Sequence, residues 1–454
     1  MPYLARLFAV VATQLILALV PAQAAPSDAI PAGPQLDVSI RYEFAIYYPD
    51  KPSQPPLSVL RRQLQGGGVM PRLVDKLAER PAAAQLQAVW VSDADKSYSP
   101  PDLGSLQYSG RGLSAEQGRA LQRAEQALRL DFAHPSRLGL VAYRRSLQLT
   151  EDLARETRGL IWDEETREVF TPEEWHKRRL LTWDGELPQV TLHTVIHAYQ
   201  SDRLLRAITL GMSKFGLPDV VVQDFPRSGN ATVGSLINAL AQVLVEGYAL
   251  PRAGEAELDL RAIRHRDARE LQLKSLLDAA KAQARLHLAA GQWEAGDPRN
   301  RLIEIRFDRY EGPDTYARQQ ALLHALYGTQ DAVKYVSHSD QLEAASRAAV
   351  AKLPQMRDRF RRGLKPGEVL LVKAPFATSQ GGTEWMWVEV TAWSGEQITA
   401  VLQNTPFNVP SLRAGQSVKV RQSELFDYLY RDGNGREEGN TTGAIIAKMQ
   451  EGRR

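Results

Sequence analysis

Side-chain alternation with a period of two constrains the C-terminal part of this chain more than any other sequence feature. The segment from Glu384 to Val390 places Trp385, Trp387 and Glu389 on one face of a strand and its even-numbered residues on the other. Similar short strand patterns, separated by tight turns, extend from Val369 to Val420. Together they predict a small, barrel-like, β-rich unit.

A helix is predicted to precede these strands. Between Leu342 and Phe360, apolar residues recur at spacings of three and four, which places them on one helical face. Pro354 lies inside this pattern and is expected to kink or split the helix. We therefore predict that residues 330–454 form one domain with a leading helix and a β-rich remainder.

The chain before this domain mixes helix and strand patterns. Val38 to Ile46 alternates as a half-buried strand, and Ser114 with Gln117 has the spacing of a helix capping box. Leu138 to Tyr143 is predicted to be a strand, and a long helix is predicted from Ala268 to Ala290. Such a mixture is typical of the α+β class.

Two N-terminal domains are the favoured division, although one large α+β unit remains an alternative. The first would span residues 25–180 and the second residues 181–329. In the second, Val190 to Tyr199 alternates as a strand. Ser201 is expected to cap a helix that ends at Phe215, because Gly216 and Pro218 follow.

The first residues have the features of a secretory signal peptide. Arg6 is followed by an apolar run from Leu7 to Val20 and by the small-x-small pattern Ala22-Gln23-Ala24. The run is shorter than the roughly 20 residues that span a bilayer, so a retained anchor is the less favoured alternative. We predict cleavage of residues 1–24 and a soluble mature protein, periplasmic or secreted, with no integral membrane segment.

Composition excludes several classes of function. Lys and Arg total 56 against 53 Asp and Glu, a near balance that argues against a nucleic-acid partner. The chain has no cysteine, which excludes disulfides, thiol nucleophiles and thiolate metal sites. Stability must therefore come from buried apolar area.

Six segments of the C-terminal quarter combine aromatic and polar residues in a distinctive order: Leu371–Phe376, Glu384–Val390, Leu402–Pro406, Leu412–Gln416, Asp427–Tyr430 and Gly439–Thr442. In order and spacing they resemble the YegJ-like family of bacterial domains of unknown function. Trp385 stands where that family usually has His, and Tyr428 where it usually has Trp. The resemblance implies a bacterial origin and a small β-rich module, and it implies no reaction. Upstream, Thr157–Asp163 and Val169–Trp175 also resemble parts of uncharacterised bacterial proteins.

Two indoles on one strand face allow two interpretations. They can pack in the core, as aromatic residues mostly do, or they can form a contact surface for a sugar, a peptide or a partner strand. The sequence offers no nucleophile–base pair, so the leading hypothesis is a non-catalytic binding protein of the bacterial envelope, without a cofactor, whose partner is an envelope protein or polymer. The candidate binding residues are Lys373, Glu384, Trp385, Trp387, Glu389, Asn404 and Asp427.

A hydrolase with a carboxylate site is the alternative. Glu384 and Glu389, or Asp427, would then serve as acid and base, since carboxylates take these roles when their environments differ. On a regular strand, Glu384 and Glu389 point to opposite faces, which weakens their pairing.

His193 and His197 have the spacing of a helical metal pair, but their segment alternates as a strand. Four residues of strand would separate them by roughly 13 Å, too far to share one ion. We therefore predict structural histidines and no metal site.

Overall fold

The computed structural model describes residues 36–445, except for 68, 202–203, 227–228, 251–253, 278, 313–314, 329–339, 366, 379–381, 405, 407, 434 and 444. The predicted signal peptide, residues 1–24, lies outside the described residues. The predicted domain boundary at residue 330 also lies outside them.

The first sheet gathers strands from the N-terminal part of the chain. Its strands are β1 (Ser39–Tyr48), β2 (Arg72–Leu73), β3 (Gln85–Val91), β4 (Gly110–Arg111), β5 (Gln126–Pro135), β6 (Leu160–Asp163) and β7 (Glu168–Phe170). They lie in the order β2-β3-β5-β1-β6-β7-β4. The strand predicted at Val38–Ile46 is confirmed as β1, which pairs antiparallel with β5 and β6.

A short hairpin and a second sheet follow. The hairpin strands are β8 (Trp183–Asp184) and β9 (Leu187–Pro188), and the sheet contains β10 (Val195–Ser201), β11 (Leu204–Leu210), β12 (Asp219–Phe225), β13 (Glu255–Asp259), β14 (Gln283–Ala290) and β15 (Leu302–Arg306). The order in the sheet is β10-β11-β12-β15-β14-β13. β12 and β15 run parallel, and the other neighbours are antiparallel.

Helices pack against these sheets and lead into the C-terminal quarter. They are α1 (Pro56–Gln63), α2 (Ala94–Ser97), α3 (Leu103–Ser109), α4 (Ala115–Leu121), α5 (Gly139–Thr157), α6 (Pro172–Trp175), α7 (Asn230–Val245), α8 (Arg266–Lys274), α9 (Thr315–Tyr327) and α10 (Asp340–Arg361). The predicted capping box is confirmed at the start of α4, where Ser114 and Gln117 bond each other's backbone amides. A π-helical turn, His176–Leu180, continues directly from α6.

The first and second sheets contribute to one continuous hydrophobic core. Phe44 of β1, Leu147 of α5, Val220 of β12 and Leu236 of α7 are all fully buried in it. The boundary between residues 180 and 181 therefore crosses a region that shares a core, and the division into two N-terminal domains stays a prediction.

The third sheet belongs to the C-terminal quarter. Its strands are β16 (Val369–Ala377), β17 (Thr383–Ser394), β18 (Gln397–Leu402), β19 (Ser417–Arg421), β20 (Asp427–Arg431) and β21 (Glu437–Gly439). They lie in the order β19-β18-β17-β16-β20-β21, so the sheet as described is open and not barrel-like. The α+β class and the leading helix are confirmed, and α10 continues through Pro354 as one helix instead of splitting there.

Some predicted elements are wrong. Leu138–Tyr143 is not a strand, because α5 begins at Gly139. The helix predicted at Ala268–Ala290 is α8 followed by β14. The helix predicted after Ser201 is the strand β11, and the strand predicted at Val190–Tyr199 begins only at Val195. In the described ranges, no helix has the length and apolar character needed to cross a membrane.

Candidate functional site

The third sheet has two unlike faces. On one, Met386 and Val388 are buried with Leu353 of α10 in the core of the C-terminal quarter. On the other, Trp385, Trp387 and Glu389 are half-buried, as the alternation in the sequence predicts. We call this second surface, made by Lys373, Trp385, Trp387, Glu389 and the neighbouring Phe426, the indole face.

Lys373 lies at the centre of the indole face. It is directly opposite Trp387 on β17 and directly opposite Asp427 on β20. Its Nζ atom lies 5.8 Å from the ring centre of Trp387 and 5.8 Å from that of Phe426. Both distances are within the range of cation–π attraction.

The Lys373 side chain is half-buried, and its surroundings disfavour a charge. Burial lowers the pKa of Lys373, and the negative charge of Asp427 only partly opposes this. Among the residues that the structure describes, the Lys373 ammonium has no hydrogen-bond acceptor and no ion-pair partner. It therefore keeps three donors that a bound acceptor group could use.

Trp385 and Phe426 extend the apolar part of the face. Their ring centres are 4.7 Å apart with the planes inclined by 39°, a separation typical of interacting aromatic pairs. Trp385 is also the direct partner of Pro375 on β16. Phe426 is fixed by its own backbone, since its amide donates to the Lys373 carbonyl at 2.8 Å.

Trp387 is held in place from both sides. Its ring packs against a small buried cluster of Val369, Leu371 and Leu429. Its amide donates to Oδ1 of Asn404, and its carbonyl accepts a hydrogen bond of 2.9 Å from the Gln403 amide. Asn404 thus positions the indole through the strand backbone.

Asp427 is not placed where a catalytic acid or base could contact a substrate. Its side chain is completely buried. The carboxylate accepts hydrogen bonds from the amide of Tyr428 at 2.8 Å, and from the amide and hydroxyl of Thr442 at 2.9 and 2.6 Å. These bonds connect the segment after β21 to the first residues of β20.

The two glutamates of β17 do not form a pair. Glu384 lies opposite Phe376 and Glu389 lies opposite Leu371, so their side chains leave opposite faces of the sheet. Glu384 accepts a hydrogen bond of 2.8 Å from the amide of Asn408 and so holds the loop after β18. This geometry disfavours an acid–base pair of the kind that hydrolysis requires.

Sequence reasoning missed Phe426. The residue precedes β20 and belongs to no alternating pattern, so its contribution to the face depends on the pairing of β16 with β20. The usable signal was its position directly before Asp427, the first residue of the segment Asp427–Tyr430 that carries the family resemblance.

The two histidines considered as a metal pair, His193 and His197, lie just before β10 and on β10 of the second sheet. His193 is fully buried and its Nδ1 is 2.9 Å from the hydroxyl of Tyr143, while burial holds the pKa of His193 well below its usual range. His197 lies on β10 with an exposed side chain. Across the described residues, no group of three potential ligands is arranged to hold a metal ion.

The leading helix, the open sheet and the indole face define the C-terminal quarter as a compact α+β module. Residues 340–454 match a family described as uncharacterized protein conserved in bacteria (DUF2314). The match begins at α10 and includes all of the third sheet, so the YegJ-like resemblance is confirmed for this quarter of the chain. The chain matches none of the curated proteins and none of the solved structures with which it was compared.

Proposed function

We propose that this is an exported, non-catalytic binding protein of the bacterial envelope, and that the indole face contacts its ligand. The observation that supports this most directly is the half-buried Lys373 ammonium, which lies near two aromatic rings and has no acceptor among the described residues. Partly burying a cation that has no hydrogen-bond acceptor costs free energy, so folding alone does not account for a lysine at this position, and this supports a binding role.

The chemistry of the face indicates the kind of ligand. Half-buried indoles favour flat or apolar surfaces, such as the face of a sugar ring or a peptide side chain. Lys373 would donate to a carboxylate, a carbonyl or a hydroxyl on the same ligand. Envelope polysaccharides and exported proteins both offer this combination.

Retention on the immobilised mature protein, residues 25–454, tests the proposal. Periplasmic extract and purified peptidoglycan are passed over the wild type, Lys373→Met and Lys419→Met, and bound material is quantified by mass spectrometry and sugar analysis. Lys419 is an exposed lysine on β19 and serves as the matched control. We expect Lys373→Met to retain less ligand and Lys419→Met to match the wild type.

Two results would contradict the proposal. One is equal retention by Lys373→Met and the control. The other is turnover of an envelope polymer by the purified protein. Export is tested separately, by fractionation and N-terminal sequencing, with the mature chain expected to begin at Ala25.

A further inference from the structure

A cavity lies where elements of the first two sheets meet, far along the chain from the indole face. Its volume is about 230 Å³. Its lining includes Arg111 of β4, Arg178 and Arg179 of the π-helical turn, and the polar residues Thr191 and Asn238. None of these residues entered the sequence-based hypotheses about function.

Local structure fixes the position of each polar group. Arg111 is opposite Phe170 in the β4–β7 ladder, and the Arg111 carbonyl accepts a hydrogen bond from the Thr171 amide. Thr191 lies in a tight turn that is anchored where the Val190 amide donates to Oε1 of Gln242 at 2.9 Å. Arg178 and Arg179 lie in the π-helical turn His176–Leu180, which follows α6.

Three arginines and one glutamate of the described residues line the cavity. Arg179 is buried and forms ion pairs with Asp163 and Glu168. Its Nη2 atom lies 3.0 Å from a carboxylate oxygen of each. Glu168 is the only carboxylate that the structure describes in the lining, and it also accepts from Nε of Arg111 at 2.6 Å. Arg178 pairs instead with Glu174, which lies outside the lining, so each of the three arginines has at least one carboxylate partner within 3.0 Å.

Several hydrogen-bond donors of the lining have no acceptor among the described residues. Arg111 uses Nε on Glu168, and Arg178 uses Nε on Glu174 at 2.9 Å. Within the described residues, the terminal nitrogens of both guanidinium groups have no acceptor. The Thr191 hydroxyl and the side-chain amide of Asn238 likewise have no hydrogen-bond partner among the described residues.

We infer that this cavity binds the carboxylate of a small organic molecule, held by the free guanidinium edges of Arg111 and Arg178. A planar guanidinium matches a carboxylate with two parallel hydrogen bonds. This inference does not depend on the binding role of the indole face.

The rest of the lining narrows the ligand class. Leu192, Val195 and Ile196 form an apolar wall, which suits a short hydrocarbon group beside the carboxylate. Thr191 and Asn238 can bond a neighbouring amide or hydroxyl. Glu168 repels additional negative charge, so a monoanionic carboxylate is favoured over a phosphate dianion.

Calorimetric titration of the full mature protein tests the inference with three probes. N-acetyl-L-alanine has a carboxylate, a methyl group and an amide, whereas N-acetyl-L-alaninamide differs in lacking the carboxylate charge. Inorganic phosphate is the third probe. We expect the acid to bind about tenfold or more tightly than its amide, because charge-assisted hydrogen bonds to arginine are lost in the amide.

Arg178→Gln is the informative variant, and Lys177→Gln is its control. Lys177 is the next residue, approaches the same Glu174 at 3.7 Å and does not line the cavity. Arg178→Gln should weaken binding of the acid about tenfold or more, and Lys177→Gln should leave it unchanged. Three results would overturn the inference: no binding of the acid, equal binding of acid and amide, or equal effects of the two substitutions. Tighter binding of phosphate would overturn the carboxylate assignment.

Discussion

Lys373 and Trp387 face each other across the β16–β17 ladder, and the lysine Nζ lies 5.8 Å from the centre of the indole ring. The same nitrogen is equally far from Phe426, which comes from the opposite side of β16. A lysine placed in this way is partly desolvated, and its donors have no acceptor among the residues that the structure describes. This combination is what distinguishes the face from an ordinary solvated sheet surface.

Replacing Lys373 by Met separates a binding role from a structural role. Met keeps most of the apolar stem and removes the charge that burial disfavours, while the cation–π attraction is lost. We expect the free energy of unfolding to stay within about 1 kcal/mol of the wild type, as the two effects oppose each other. Urea denaturation followed by tryptophan fluorescence measures this. A loss well above about 2 kcal/mol would assign Lys373 to the fold instead.

Asp427 should be important for stability. Asp427→Ala removes an acceptor and leaves three donors, two amides and one hydroxyl, without their partner in a buried place. We expect a loss of about 2–4 kcal/mol, and a loss of about 1 kcal/mol for Thr442→Val, which removes only the hydroxyl bond. Urea denaturation of both variants gives the comparison. Equal stability of Asp427→Ala and the wild type would show that the segment after β21 is not fastened in this way.

Local periodicity predicted which residues of β17 share a face. The alternation in Glu384–Val390 depends only on the strand geometry of consecutive residues, and the burial of Met386 and Val388 follows from it. What could not be predicted was the row of Lys373, Trp387 and Asp427, because the register of three strands brings these residues together.

The wrong elements have identifiable physical causes. β11 is buried along almost all of its length, so its apolar run shows no alternation and resembles a buried helix. Between α8 and β14 the chain turns with positive φ angles at Ala279 and Ala282. Glycine usually marks such conformations, and without it the sequence gives no sign of the turn.

The cavity at Arg111 and Arg178 lay beyond sequence reasoning for a similar reason. Its lining comes from β4, the π-helical turn, the turn at Thr191 and Asn238 of α7. No motif joins residues that are so far apart in the chain, and only the packing of the first two sheets makes them neighbours.

Glu43 should make stability depend on pH. Burial, then the negative charges of Glu164 and Asp131, raise the pKa of Glu43 to about 8 against the hydrogen bond from Tyr98. The folded protein therefore holds a proton that the unfolded chain releases above its ordinary pKa of 4.5. Stability from this group is fully present below that value and is lost as pH rises towards 8.

Glu43→Gln should reduce this dependence. The amide stays neutral, so the fall in the free energy of unfolding from pH 5 to 8 should be shallower, and the variant should be more stable than the wild type at pH 8. Part of the slope should persist, because burial also raises the pKa of Asp219 to about 7. Glu79→Gln, at an exposed glutamate, is the control. Identical slopes for Glu43→Gln and the wild type in pH-dependent urea denaturation would refute the prediction.

Asp163 joins two buried cations at the meeting of the first two sheets. Its Oδ2 lies 2.5 Å from Nζ of Lys214 and 3.0 Å from Nη2 of Arg179. Burial alone would raise the pKa of Asp163, but these two cations hold it below its usual value. Removing one partner of such a group leaves a buried charge poorly compensated.

Lys214→Met should therefore cost about 3 kcal/mol, at the lower end for a broken buried pair because Arg179 remains beside the carboxylate. In an Asp163→Asn background the same substitution should cost at least about 1 kcal/mol less, since the carboxylate charge is already absent. Urea denaturation of the two single variants, the double variant and the wild type yields the coupling energy. If the two substitutions add within about 0.5 kcal/mol, the pair does not interact and Lys214 serves the core only through the bulk of its side chain.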